Sequence, residues 1–260
     1  MDLSNIALFL LDMDGTIYLD NDLFDGSIDF INAIIAAKKK YVFMTNNSSK
    51  SKQAYLDKLS SLQIPCQEEN IITSGMAMGM YLKTNYPDKK VYFLGTKSLG
   101  EELAIYNVKF VDENPDIVLV GYDRELTYEK LEKACRFLDD GALFLATNCD
   151  LVCPIANHRY VPDCGSICHM LTVATTKKPT YIGKPSPYMI NLLADELGIA
   201  KKNIAVIGDR VYTDIIAGYN AQTTTICVLS GESTKETIDE SPIKPDYVVN
   251  SVKDLIKFIK

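Results

Sequence analysis

The stretch Ala7-Leu8-Phe9-Leu10-Leu11-Asp12-Met13-Asp14-Gly15-Thr16 decides the fold. Its unbroken apolar run fits a strand buried on both faces, and such strands belong to parallel sheets covered by helices. Asp12 ends the run, and Asp14-Gly15 turns the chain. In an open parallel sheet, ligands bind outside the carboxyl ends of the strands, so Asp12 falls where such a sheet does its chemistry. Read alone, Asp-x-Asp-Gly is equally well explained as a solvated turn.

Outward from that point, short apolar runs alternate with amphipathic stretches along most of the 260 residues, the pattern of a mainly parallel α/β protein. Ala7–Leu11, Tyr41–Met44, Ile204–Ile207, Thr225–Val228 and Tyr247–Val249 read as strands. Helices are expected over Ser27–Lys39, Ser51–Leu62, Pro187–Leu197, Asp214–Ala221 and Val252–Ile259. The middle of the chain has strands of its own at Val91–Leu94, Ile117–Val120 and Leu143–Ala146. No repeat or flexible linker separates this set from its flanks, so the joins are short, near Gly75–Gly79 and Lys178–Thr180. The expected architecture is a Rossmann-like parallel-sheet core over residues 1–78 and 180–260, with a second α/β unit, 79–179, inserted into it.

Lys+Arg 27 against Asp+Glu 34 gives a net charge of −7, which argues against nucleic acid or an anionic membrane as the main partner. No apolar run reaches the roughly 20 residues of a membrane helix. The first residues, Met1-Asp2-Leu3-Ser4-Asn5, lack the basic region of a secretory signal. Seven cysteines, an odd number spread from Cys66 to Cys227, do not describe a secreted disulfide framework. A reducing cytoplasm is the expected setting.

A second apolar strand, Ile204–Ile207, ends in Gly208-Asp209, with Asp214 five residues on. Carboxylates converging on one sheet edge repel unless a cation holds them, and an all-oxygen set describes Mg²⁺ better than zinc. The strand Tyr41–Met44 runs into Thr45-Asn46-Asn47-Ser48-Ser49 before a helix, a cradle suited to an anion. Gly183-Lys184-Pro185-Ser186-Pro187 also opens a helix and offers Lys184 as a point charge for a phosphate oxygen. A capping hydroxyl and a surface lysine would explain these last two singly; it is the order of all four that is specific.

Asp12-Met13-Asp14-Gly15-Thr16, Thr45, Lys184 and Gly208-Asp209-x4-Asp214 together resemble the haloacid dehalogenase superfamily of aspartyl-phosphate-forming phosphatases. Phe43-Met44-Thr45-Asn46-Asn47-Ser48 and Gly183-Lys184-Pro185-Ser186-Pro187 narrow the likeness to its NagD-like, 4-nitrophenylphosphatase-type branch, over essentially the whole chain. That branch inserts an α/β cap between the Thr and Lys motifs, where the middle strands lie.

The resemblance implies a Mg²⁺-dependent phosphomonoesterase for small phosphorylated metabolites. Asp12 would be the nucleophile and Asp14 the acid and then the base. Mg²⁺ would be held by Asp12, the main-chain carbonyl of Asp14, and Asp209. Thr45, Asn46 and Lys184 would hold phosphoryl oxygens, and Asp214 would orient the metal waters and Lys184. Selectivity is expected from the cap segment Asp150–Ser166, through Asp150, Asn157, His158, Arg159 and Tyr160; a solvated loop or a dimer contact explains those residues too. A cap-mediated homodimer is compatible with the likeness and required by nothing in the residues.

Two other functions share the motifs: phosphoryl transfer to an acceptor other than water, and a non-catalytic phosphate-responsive binding module. The latter needs neither an acid two residues after the nucleophile nor an inserted cap. Cys149-x3-Cys153 and Cys164-x3-Cys168, with His158 and His169 nearby, have zinc-compatible spacing, but small buried thiols explain them better. Gly95-Thr96-Lys97-Ser98-Leu99-Gly100 continues into Glu101-Glu102 and fails as a phosphate-binding loop, leaving a strand-to-helix turn. Lys38-Lys39-Lys40 is expected to close a helix at the negative end of its dipole.

Overall fold

The computed structural model describes residues 1–155 and 159–259. The chain divides into two compact units: one of Met1–Thr45, Gln53–Ile72 and Lys184–Lys260, the other of Asn46–Lys52 and Thr73–Gly183. The second unit thus begins at Thr73 and ends at Gly183, against the expected 79 and 179, and takes in the short segment after Thr45.

The first unit is built on a six-stranded sheet in the order Tyr247–Val249, Thr224–Val228, Ile204–Gly208, Leu8–Leu11, Lys40–Thr45, Ile71–Thr73. Leu8–Leu11 is central and fully buried, and it runs parallel to both neighbours. The chain winds to one side of this strand first and returns on the other, so its carboxyl end is the switch point where open sheets of this kind leave a crevice. Leu11 pairs with Ile207 on one side and Phe43 on the other. One residue further along that register, Asp12 stands level with Gly208 and Met44, and Asp209 and Thr45 follow at the next step.

The helix Ser27–Ala36 turns Phe30, Ile31 and Ile34 into a core shared with Phe9, Leu11, Phe43 and Ile207. Each such side chain contributes about 1.5–3 kcal/mol on burial. Phe9 and Phe30 meet edge to face with ring centroids 6.1 Å apart. The helix stops at Ala36, short of the lysine run: Lys38 adopts a positive φ, and Lys39 Nζ donates to the carbonyls of Leu3 and Ser4, both at 2.9 Å. Lys39 therefore fastens the N-terminal turn instead of closing a helix. Asp214 does not open an α-helix either; it lies in a π-type turn, Val211–Ile215, from which the helix Ile216–Ala221 continues. The last element, Val252–Phe258, is a 3₁₀ helix.

The second unit has a five-stranded parallel sheet in the order Thr180–Tyr181, Leu143–Ala146, Ile117–Val120, Lys90–Leu94, Lys109–Phe110. The three expected strands are its centre, and two two-residue strands extend its edges. Thr96 caps the helix Lys97–Ala104 by accepting from Leu99 N at 3.2 Å, so the glycine-flanked segment is a strand-to-helix turn. Within the expected selectivity segment, Val152–Ile155 pairs antiparallel with Arg159–Pro162, and a helix begins at Cys164.

Candidate active site

Asp12 leaves the central strand with its backbone N–H donating to Ile207 O at 2.9 Å, which fixes the side chain's origin between two parallel strands. Gly15 then takes φ +90, and a Cβ there would run into the Asp209 carboxylate. Only glycine meets both demands. Gly208 is held by space as well, since a Cβ on it would strike the Asp214 side chain.

Lys184 organises the carboxylates. It is only 2% exposed, and its Nζ donates to Asp12 Oδ1 and Asp214 Oδ1, each at 2.6 Å, and to the Met44 carbonyl at 3.1 Å. Burial pulls its pKa down, but the Asp12 and Asp214 carboxylates outweigh that and hold it above the ordinary lysine value. Asp214 is itself oriented by Arg210 N–H, which donates to Oδ2 at 3.2 Å.

Asp209 has one satisfied oxygen and one that is not. Its Oδ2 accepts from Glu232 N at 2.7 Å, whereas the buried Oδ1 has no hydrogen-bond partner among the described residues. Asp12, Asp209 and Asp214 can bring one carboxylate oxygen each within 4.8 Å of the others. Burial and then the neighbouring carboxylates push Asp209 up to about 8, and burial pushes Asp214 up to about 6. The Lys184 ammonium bonds two of the three carboxylates and leaves Asp209 without a cation in contact among the described residues. An all-oxygen cluster short of positive charge, with a buried oxygen to spare, fits a hard divalent cation such as Mg²⁺.

Of the remaining expected residues, Asp14 is half-buried in the turn after Asp12, and Thr45 is buried at the end of its strand. Asn46 belongs to the second unit, where its Nδ2 donates to Asp150 Oδ2 at 2.7 Å. Asp150 also accepts from Asn148 Nδ2 at 3.0 Å and is buried. Arg159 and Tyr160 are exposed on the hairpin; Asn157 and His158 lie outside the described residues. All seven cysteines are free thiols, and among the described residues the convergent ligand atoms belong to the aspartates alone.

The loop after Thr224–Val228 is a part of the site that the motifs did not reveal. Ser230 Oγ donates to Gly15 O at 2.8 Å, and the Glu232 and Ser233 N–H groups hold the Asp209 carboxylate and carbonyl. The rule that placed Asp12 and Asp209 at strand ends points to this loop as well. Ser230-Gly231-Glu232 simply carries no charge pattern that singles it out.

Comparison with known proteins agrees with this geometry. Residues 9–109 match the haloacid dehalogenase-like hydrolase family, and residues 181–255 match a HAD-hydrolase-like family. An acid sugar phosphatase of Staphylococcus saprophyticus is 32% identical, with 98% of each chain covered. The 5'-nucleotidase YutF of Bacillus subtilis is 33% identical over 96% of this chain and 98% of its own. The crystal structure of a 4-nitrophenylphosphatase from Thermotoga maritima superposes with a TM-score of 0.94 at 37% identity, covering 99% of both chains. The chain belongs to the haloacid dehalogenase-like hydrolases. Within them it is a phosphatase of the NagD and 4-nitrophenylphosphatase branch.

Proposed function

We propose that the protein is a Mg²⁺-dependent phosphomonoesterase for small phosphorylated metabolites of the sugar phosphate or nucleoside monophosphate class, working through an aspartyl-phosphate on Asp12. The observation that carries this reading is the Lys184 bridge between Asp12 and Asp214, beside the partnerless Oδ1 of Asp209. The bridge holds an aspartate side chain still at a sheet switch point, and the spare oxygen leaves room for a cation.

In this reading an Asp12 carboxylate oxygen attacks phosphorus in line, and the P–O bond to the leaving group breaks. The leaving oxygen takes the electron pair of that bond and a proton from Asp14. Asp14, now a base, takes a proton from the water that attacks the aspartyl-phosphate and frees inorganic phosphate. Lys184 and Thr45 hold phosphoryl oxygens through the displacement, with Asn46, the next residue along, as a further donor. Asp12, the Asp14 carbonyl and Asp209 would hold Mg²⁺, which supplies charge neutralisation between nucleophile and phosphate. Asp214 keeps the Lys184 ammonium in place. Arg159 and Tyr160 are the described groups available for selectivity among leaving groups. The seven free thiols support a reducing, cytoplasmic setting.

The test is phosphate release from a panel of sugar phosphates, nucleoside monophosphates and 4-nitrophenyl phosphate, on protein stripped with chelator and then titrated with Mg²⁺. Multiple turnovers that appear only as metal is restored are the expected result. Turnover indifferent to metal, or none on any member of the panel, would overturn the reading.

A further inference from the structure

The helix Lys52–Ser61 buries Tyr55 and Leu59, and one turn along the same face from Tyr55 it carries Lys58, whose side chain is 19% exposed. A lysine so covered needs a partner for its charge. Its Nζ lies 3.9 Å from the centroid of the Tyr18 ring and 3.8 Å from Asp14 Oδ1. Tyr18 is fully buried, and its carbonyl accepts from Gly15 N at 2.8 Å, within the turn that carries Asp14. The ring is therefore a fixed seat for the ammonium on a face that attracts cations. At 3.8 Å the pair acts on Asp14 through charge, being longer than a charge-assisted hydrogen bond. An ammonium fixed on the ring therefore gives the Asp14 carboxyl a stationary charge to align with.

We propose that Lys58, seated on Tyr18, is a positioning residue for Asp14: it holds the Asp14 carboxyl in the direction from which a proton reaches the leaving oxygen. The proposal rests on the acid role of Asp14 given above. In the step it serves, the P–O bond breaks, its electron pair stays with the leaving oxygen, and that oxygen takes a proton from the Asp14 carboxyl. A residue acting this way matters in proportion to how much the leaving group needs a proton. One that merely stabilises the fold affects all substrates alike.

The experiment measures kcat/KM for Lys58→Met, Lys58→Arg, Asp14→Asn and the double variant Asp14→Asn/Lys58→Met. The two substrates are glycerol phosphate, whose alkoxide leaves poorly, and 4-nitrophenyl phosphate, whose phenolate leaves without help. Lys58→Met should lose at least about tenfold more on glycerol phosphate than on 4-nitrophenyl phosphate, part of the hundredfold or more that acid catalysis contributes. Lys58→Arg, which keeps a cation over the ring, should lose less. In the Asp14→Asn background, Lys58→Met should add no further discrimination. Equal losses on the two substrates, or fully additive losses in the double variant, would overturn the proposal. If Asp14→Asn itself shows no leaving-group dependence, the acid role fails; if Asp14→Asn discriminates and Lys58→Met does not, the proposal alone fails. Lys58→Gln, which keeps much of the length without the charge, takes the place of Lys58→Met should the latter not fold.

Discussion

At the carboxyl ends of the six-stranded sheet, Asp12, Asp209 and Asp214 converge, one ammonium bonds Asp12 and Asp214, and Asp209 Oδ1 has no hydrogen-bond partner among the described residues. Beyond the five-stranded sheet's strand Leu143–Ala146, Asn148 Nδ2 donates to both Asp150 Oδ2 at 3.0 Å and Asp163 Oδ1 at 3.1 Å. Asn46 adds a second donor to Asp150, and the Ser48 and Thr147 hydroxyls lie 3.0 Å apart. Both places have the topological address at which parallel sheets bind ligands. What separates them is satisfaction. The second group spends its carboxylates on its own amides and fixes a loop, whereas the first keeps more negative charge than its one lysine can match. A strand end rich in polar residues is therefore not yet a site; a strand end with polar groups left over is.

Lys184→Ala gives this contrast its largest test within the cluster. It removes the ammonium that Asp12 and Asp214 share, and kcat/KM should fall by at least about 100-fold, the scale of losing a preorganised transition-state donor. Steady-state kinetics on 4-nitrophenyl phosphate reads this directly, and an unchanged value would reduce Lys184 to a structural ion pair. Next comes Asp209→Asn, which should weaken Mg²⁺ binding by on the order of 10–100-fold and recover part of its activity at high metal. Calorimetric titration checks it; a parent-like binding curve would remove Asp209 from the metal's ligands.

On the other sheet, Asp150→Ala removes the acceptor that the Asn46 and Asn148 amides share, while Asn148 keeps Asp163 Oδ1. Each buried group so stranded costs about 1–3 kcal/mol, seen as a lowered Tm with Mg²⁺ affinity intact. A loss of metal affinity with no change in Tm would erase the distinction between the two groups.

Acidity gives the smallest and most graded effect. In the metal-free protein, burial and then Asp12 and Asp214 push Asp209 up to about 8. Between the ordinary aspartate range and that value, the folded state binds more protons than the unfolded chain, so stability falls as pH rises. Scanning calorimetry should show the metal-free Tm declining from about pH 5 to about pH 8, with Mg²⁺ abolishing much of the decline. Asp12, Asp214 and Arg210 act on the titrating group through charge, so a slope unaltered by both Mg²⁺ and Asp209→Asn would place its origin elsewhere.

Much of this was legible before any coordinates. Strands buried on both faces announce themselves as apolar runs, and Leu8–Leu11, Ile117–Val120 and Leu143–Ala146 lie where those runs put them, to within a residue. Asp12 and Asp209 followed from the same runs because each ends one. Ile71–Thr73, Lys109–Phe110 and Thr180–Tyr181 did not, since two or three residues show no periodicity and pair only because a neighbour offers an edge. The antiparallel pairing of Val152–Ile155 with Arg159–Pro162 was equally hidden in a segment that reads as turns. The partners of Asp150 were not legible either, because sequence gives a residue's chemistry but not its neighbours. Lys58 was silent for the same reason: its spacing from Tyr55 marks a helix face, and only the fold places Tyr18 and Asp14 beneath it.

The central claim is that Asp12 takes the phosphoryl group covalently, and rapid acid quench of the Mg²⁺-loaded enzyme during turnover of a ³²P-labelled substrate tests it most directly. The account predicts a hydroxylamine-labile label that maps to the peptide containing Asp12, and no label in Asp12→Asn, whose turnover should fall by on the order of 10⁴-fold. Full turnover by Asp12→Asn, or a label on another residue, would contradict it.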